Sequence, residues 1–190
     1  MAHFERISRS VLHEWVLWKL VQSRFRSPQG EEFVRTYVES PGATGIVPIR
    51  LDANGRYEVV MVRQYRPALN AYSLEIPAGM RDVAGEDPQA TALRELQEET
   101  GFTSRDVRPI GQILQAPGIT NAAVQLFLAL GLTEVAMERH GPEEDDMTVE
   151  VLLLDDAIRM IETGEIDNAM AVVGLLRADR LLRTENVANT

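Results

Sequence analysis

The segment from Gly79 to Phe102, Gly-Met-Arg-Asp-Val-Ala-Gly-Glu-Asp-Pro-Gln-Ala-Thr-Ala-Leu-Arg-Glu-Leu-Gln-Glu-Glu-Thr-Gly-Phe, constrains this chain more than any other. Its second half reads as a helix with both ends marked: Asp87 as N-cap, Pro88 at the first helical position and Gly101 as C-terminal cap. Residues three and four apart are neighbours on a helix, so Glu95, Glu98 and Glu99 share one side of it. Ala92, Leu93 and Leu96 form an apolar face, and the glutamates are expected toward the other side. Three carboxylates so close repel one another. Carboxylates alone would suit a solvated acidic face, but a divalent cation also removes the repulsion, because hard ions such as Mg²⁺ prefer carboxylate oxygens. Arg94 before them, Gly101 after them and a glycine-containing loop ahead make the pattern more specific than acidity alone.

Composition narrows the chemistry. At 190 residues the chain is long enough for one domain with a substantial core. A net charge of −10 disfavours a nucleic-acid surface. An acidic enzyme acting on an anionic substrate needs cations at its site, and a carboxylate–metal cluster would supply them. There is no cysteine, which excludes disulfides, thiolate nucleophiles and cysteine-ligated zinc. The apolar run Val11 to Val21 is interrupted by His13, Glu14 and Lys19 and is too short to span a bilayer. The first ten residues carry no apolar signal core, so the expectation is a cytoplasmic protein with no membrane partner.

Strand-like runs precede the helix: Val11 to Phe25 as one or two strands, Glu32 to Glu39, Thr44 to Leu51, Tyr57 to Gln64 and Tyr72 to Ile76. Turn signals lie at Ser27-Pro28-Gln29-Gly30, Pro41-Gly42 and Asp52-Ala53-Asn54-Gly55. After the helix, Val107 to Gln115, Ala123 to Leu132 and Met147 to Leu154 read as strands. Asp155 to Glu162 and Asn168 to Arg183 read as helices, capped by Asp155 and Asp167. Strands around a central helix, with helices at the end, predict an α+β sandwich.

The Gly79–Phe102 segment resembles the Nudix box of the Nudix hydrolases, which ends in Arg-Glu-x-x-Glu-Glu-x-Gly. Glu86, Arg94, Glu95, Leu96, Glu98, Glu99, Gly101 and Phe102 carry the match. One more residue than usual separates Gly79 from Glu86, which predicts a longer loop there. Flanking motifs, Arg63-Gln-Tyr-Arg-Pro67, Glu75-Ile-Pro-Ala-Gly79 and Ala116-Pro-Gly118, resemble the ADP-ribose pyrophosphatase subfamily. The likeness covers about Phe33 to Leu176.

The resemblance implies a mixed β-sheet sandwiched between helices. It divides the chain into a small N-terminal accessory β-sheet over residues 1–40, a hydrolase domain over 41–184 and a flexible tail over 185–190. It further implies a homodimer in contact through the accessory sheet, which in many relatives is exchanged between subunits. It makes Glu95, Glu98 and Glu99, with the Ala78 carbonyl, ligands of Mg²⁺ or Mn²⁺. Gly79, Glu86, Arg94 and Gly101 become structural, with Arg94 pairing with Glu86. Alignment of the acidic loop Gly141–Asp146 makes Glu143 the catalytic base, with Glu144 one position away. Arg66, Glu75, Arg35 and Pro117 form the substrate-binding set, and Arg66 suits phosphate because guanidinium binds its oxygens in a fork. Trp15 and Trp18 read as packing residues of the N-terminal sheet; Phe33 and Tyr37 are equal candidates for stacking on adenine.

The implied reaction is Mg²⁺-dependent hydrolysis of ADP-ribose to AMP and ribose 5-phosphate. Ile119-Thr-Asn-Ala122 stands where the subfamily places a serine and an acidic residue. That departure keeps open GDP-mannose, a UDP-sugar or a broad housecleaning range. A non-catalytic nucleotide-sugar sensor would be expected to have lost box carboxylates, and this chain keeps all of them.

Overall fold

β-Branched and aromatic residues with turn signals between them place more of the described residues in strands than in helices. The computed structural model describes residues 3–137 and 146–188. The chain divides into two units, Met1–Gly42 with Leu114–Ala123, and Ala43–Ile113 with Val124–Thr190.

The first unit holds an antiparallel sheet of β1 (Glu5–Trp15), β2 (Trp18–Arg26) and β3 (Glu32–Glu39), in that spatial order. The expected single or double strand over Val11–Phe25 is thus the β1–β2 hairpin, starting earlier, at Glu5. Its turn is Val16–Leu17, which carries no turn residue. Val16 is 92% exposed and sits at φ 39°, in the left-handed region that a β-branched side chain resists. Val21 and Ser23 on β2 are buried. The segment after Leu114 joins β3, where Val38 N–H donates to the Ile119 carbonyl (2.9 Å) and Ser40 N–H to Asn121 Oδ1 (2.9 Å).

The second unit is built on a mixed seven-stranded sheet. Its elements are β4 (Ala43–Leu51), β5 (Tyr57–Arg66), β6 (Ala71–Glu75), β7 (Ala78–Met80), β9 (Asp106–Leu114), β10 (Ala123–Leu130) and β12 (Thr148–Leu153). The order is β12-β5-β4-β10-β9, with β6 beside β5 and β7 beside β4. β4 and β10 run parallel, while β4–β5, β4–β7, β5–β6 and β5–β12 are antiparallel. A two-stranded piece pairs β8 (Phe102–Thr103) with β11 (Thr133–Glu134). Among the described residues, three helices complete the unit: α1 (Pro88–Thr100), α2 (Leu154–Thr163) and α3 (Ala169–Ala188).

β4 divides its side chains between two cores, as alternation along a strand requires. Val47 and Ile49 join Ala171, Leu175, Ala178 and Leu182 of α3, whereas Ile46 packs with Ala92 and Leu96 of α1. The expected α+β layering, a mixed sheet between helices with a small separate antiparallel sheet at the N-terminus, is what the chain forms. No described helix is long and apolar enough to cross a membrane.

Local signals gave mixed results. Asp52 makes the β4–β5 turn: its carboxylate accepts from the backbone N–H groups of Arg56 and Asn54, which hold its pKa down at about 2. The expected caps of the last two helices are corrected. Asp155 lies inside the first turn of α2, whose cap position is Leu153, with no side-chain bond. Asn168, and not Asp167, caps α3, accepting from Met170 (2.9 Å) and Ala171 (3.1 Å) N–H. α3 continues to Ala188, beyond the expected stop at Arg183.

Relief of the Val16 backbone is measurable. Val16→Asn, a residue that tolerates left-handed φ, is expected to raise stability by about 1 kcal/mol. Urea denaturation of the two proteins checks it, and an unchanged or lower midpoint contradicts it.

Candidate active site

α1 is positioned from both ends. Asp87 accepts from Gln89 N–H (3.1 Å), Pro88 opens the first turn, and Gly101 closes the helix at φ 71° with its N–H on the Gln97 carbonyl. The loop ahead, between Arg81 and Asp87, turns at Gly85 (φ 81°) and contains the extra residue. Ala92 and Leu96 are buried as expected, but the glutamates are not turned away from them. Glu95 and Glu99 are 9% and 5% exposed, and only Glu98 stays half-buried. Glu95 and Glu99 adjoin the apolar face and dock on strand β7, which explains the difference.

That docking has two contacts. Glu99 Oε2 accepts from Ala78 N–H at 3.1 Å. The Glu95 carboxylate lies where a side chain at Gly79 would be: a Cβ there would stand 2.0 Å from Glu95 Cδ and 2.1 Å from Oε1. Gly79 is therefore required by the carboxylate above it and not by its own backbone angle.

Arg94 supplies the countercharge. Its Nη1 lies 2.8 Å from Glu95 Oε1 and 2.9 Å from Glu98 Oε2, while Nη2 is 3.5 Å from Asp82 and 3.8 Å from Glu86. The expected partner, Glu86, is thus its most distant one; Glu86 instead accepts the Thr91 hydroxyl at 2.7 Å. Burial, the largest single influence, disfavours the Arg94 charge, but Glu95, Glu98 and Glu86 together hold its pKa above the ordinary value.

The donor chemistry suits a divalent cation: three carboxylates of hard oxygen, two of them buried, cradled on a strand that a Cβ would block. As placed, no group of three His, Cys, Asp or Glu among the described residues is arranged to hold an ion, and Arg94 spans Glu95 and Glu98.

Arg66 and Glu75 meet across β5 and β6. Arg66 donates from Nε (2.9 Å) and Nη2 (2.6 Å) to a carboxylate that is 1% exposed. This fork on Glu75 was not foreseen from the motifs. Arg63 makes a similar fork with Glu150 of β12, and that hydrogen-bonded pair raises the Arg63 pKa.

Arg35 and Pro117 come together in the first unit. They line a cleft of about 690 Å³ with Phe4, Phe25, Phe33 and Tyr37. The Arg35 guanidinium lies 4.8 Å from the Phe33 ring centre, and Phe25 stacks on Phe33 at 5.6 Å. Trp15 and Trp18 do not line it; Trp15 lies against His13 and Trp18. Phe4 and Phe25 escaped the sequence reading. Phe25 was within reach of it, because the Ser27–Gly30 turn sets the register that pairs Phe25 with Phe33. Glu143 and Glu144 lie outside the described residues. Beside them in sequence, Asp146 accepts the Tyr72 hydroxyl at 2.7 Å.

A NUDIX domain model matches residues 40–171. The chain is 39% identical over 173 residues to an ADP-ribose pyrophosphatase of Mycobacterium tuberculosis, covering 91% of this chain and 82% of that protein. It is 34% identical over 142 residues to an ADP-ribose pyrophosphatase of Bacillus subtilis, covering 75% and 74%. A crystal structure of an ADP compounds hydrolase superposes with a TM-score of 0.81 over 96% of both chains at 18% identity, a likeness of fold.

Gly79→Ala tests the docking. It is expected to cost about 1–3 kcal/mol through overpacking against Glu95. In a Glu95→Ala background the cost should largely vanish, since contacting residues couple. Denaturation of the four proteins of this cycle checks it; an equal cost in both backgrounds contradicts it.

Proposed function

The chain belongs to the NUDIX family, and from that premise we propose that it hydrolyses the diphosphate of ADP-ribose to AMP and ribose 5-phosphate. The observation that carries this reading is the buried carboxylate cluster of α1, on a chain similar over most of its length to ADP-ribose pyrophosphatases. Glu95, Glu98 and Glu99, with the Ala78 carbonyl, would hold Mg²⁺, or Mn²⁺ in its place. Bound there, the ion neutralises diphosphate charge and acidifies a water.

The chain's own residues do the rest. Until a cation binds, Arg94 bridges Glu95 and Glu98 and balances their charge. Gly79 leaves Glu95 the space it occupies, while Glu86 and Gly101 secure the two ends of the helix. Arg66, held in place by Glu75, presents guanidinium charge to phosphate oxygens. We assign the base that takes the proton of the attacking water to Glu143, with Glu144 as its neighbour. The aromatic cleft of Phe33, Arg35 and Pro117 offers a ring surface and a cation for a nucleobase.

We also read the protein as a homodimer. β1 is exposed along its whole length and presents Ile7, Val11, Leu12 and Trp15, more apolar surface than a lone edge strand normally shows. We place the protein in the cytoplasm, a reducing compartment with which a chain that has no cysteine is compatible.

One observation favours a second substrate, GDP-mannose or a UDP-sugar. Ile119 and Asn121 are bonded to β3 and its end, and Ile119–Ala122 contains no carboxylate to hold a terminal ribose.

Chromatography of products from ADP-ribose, GDP-mannose and UDP-glucose in Mg²⁺ tests the assignment. AMP with ribose 5-phosphate should dominate, and Glu98→Gln should lower that turnover by about 10³-fold. Strong GDP-mannose cleavage beside negligible ADP-ribose cleavage contradicts the substrate; an unimpaired Glu98→Gln contradicts the site.

A further inference from the structure

Thr44, near the start of β4, is fully buried, yet its hydroxyl has no hydrogen-bond partner among the described residues. A buried hydroxyl without a partner is a cost that folded proteins rarely keep without use. Two observations fix which way it faces. Thr44 lies directly opposite Gly79 in the β4–β7 pair, and opposed residues of an antiparallel pair share a face. A Cβ at Gly79 would meet the carboxylate of Glu95. Ile46, two residues along β4 and so on the same face as Thr44, packs against Ala92 and Leu96 of α1. A Cβ at Gly45 between them would meet Ile76, Leu126 and Met170 on the opposite side. The free hydroxyl therefore shares the buried face on which Glu95 rests.

We propose that Thr44 is a positioning residue for Glu95, donating its hydroxyl to that carboxylate when a divalent cation replaces the Arg94 guanidinium on it. Arg94 Nη1 now contacts Glu95 Oε1 at 2.8 Å. A cation held there would take the place of that donor, and Thr44 is a neutral donor on the same face that requires no solvent. Outer groups of this kind orient a ligand and tune its affinity for the metal. The inference rests on the metal-binding reading of α1, and the test separates the two.

Mn²⁺ binding to the full chain, followed by the electron paramagnetic resonance of free Mn²⁺, is compared for wild type, Thr44→Val and Thr44→Ser. Thr44→Val keeps the shape and removes the hydroxyl. It should weaken Mn²⁺ binding about tenfold, with a thermal midpoint equal to or above that of wild type, since an unpaired polar group is gone. Thr44→Ser should bind within about threefold of wild type. If Thr44→Val does not fold, Thr44→Ala carries the same comparison. Wild-type affinity in the hydroxyl-free variant overturns the role of Thr44 alone, as does a tenfold loss in Thr44→Ser. Absence of Mn²⁺ binding by wild type overturns the metal reading and this inference together.

Discussion

The contact between the Glu95 carboxylate and the bare backbone of Gly79 is the constraint on which the rest of this molecule turns. A carboxylate taken from water needs countercharge or hydrogen bonds. Here Arg94 supplies charge to Glu95 and Glu98, and the Ala78 N–H serves Glu99. β7 can do this because it is only three residues long and pairs with β4 through Ala78, Gly79 and Met80. β4 also anchors α1 through Ile46, so one strand sets the height of the helix above the backbone that its carboxylates touch.

Much of this was legible in local residues, and the failures have physical causes. Asp87, Pro88 and Gly101 mark α1 because capping is a short-range matter of one side chain and its next few N–H groups. The same reasoning misjudged Asp167, whose neighbour Asn168 makes the cap, and Asp155, which lies inside a helix that begins at Leu154. The burial of Glu95 and Glu99 was hidden because periodicity finds a helix face but not the strand it meets. In sequence a glutamate beside Ala92 reads as the edge of the polar side; only the contact with β7, ten or more residues earlier, makes it interior. The Val16–Leu17 turn was invisible for the opposite reason: the strands demand a tight reversal there, and the residues are poor at it.

Arg94 and Arg66 teach a related lesson. Motif likeness gave each one role, structural for Arg94 and phosphate-directed for Arg66. In the fold each guanidinium grips carboxylate: Arg94 spans Glu95 and Glu98, and Arg66 forks onto buried Glu75. An arginine so held is pre-oriented, and the loss of side-chain freedom that binding would otherwise impose has been met in folding. Clusters of opposite charge at the site also reconcile a chain of net charge −10 with an anionic substrate.

A crystal structure determined with Mn²⁺, using the ion's anomalous scattering, tests the carboxylate cluster of α1 most directly. One or more peaks are expected on the carboxylates of Glu95, Glu98 and Glu99. Peaks elsewhere, with Arg94 still bridging Glu95 and Glu98, would contradict a metal site there.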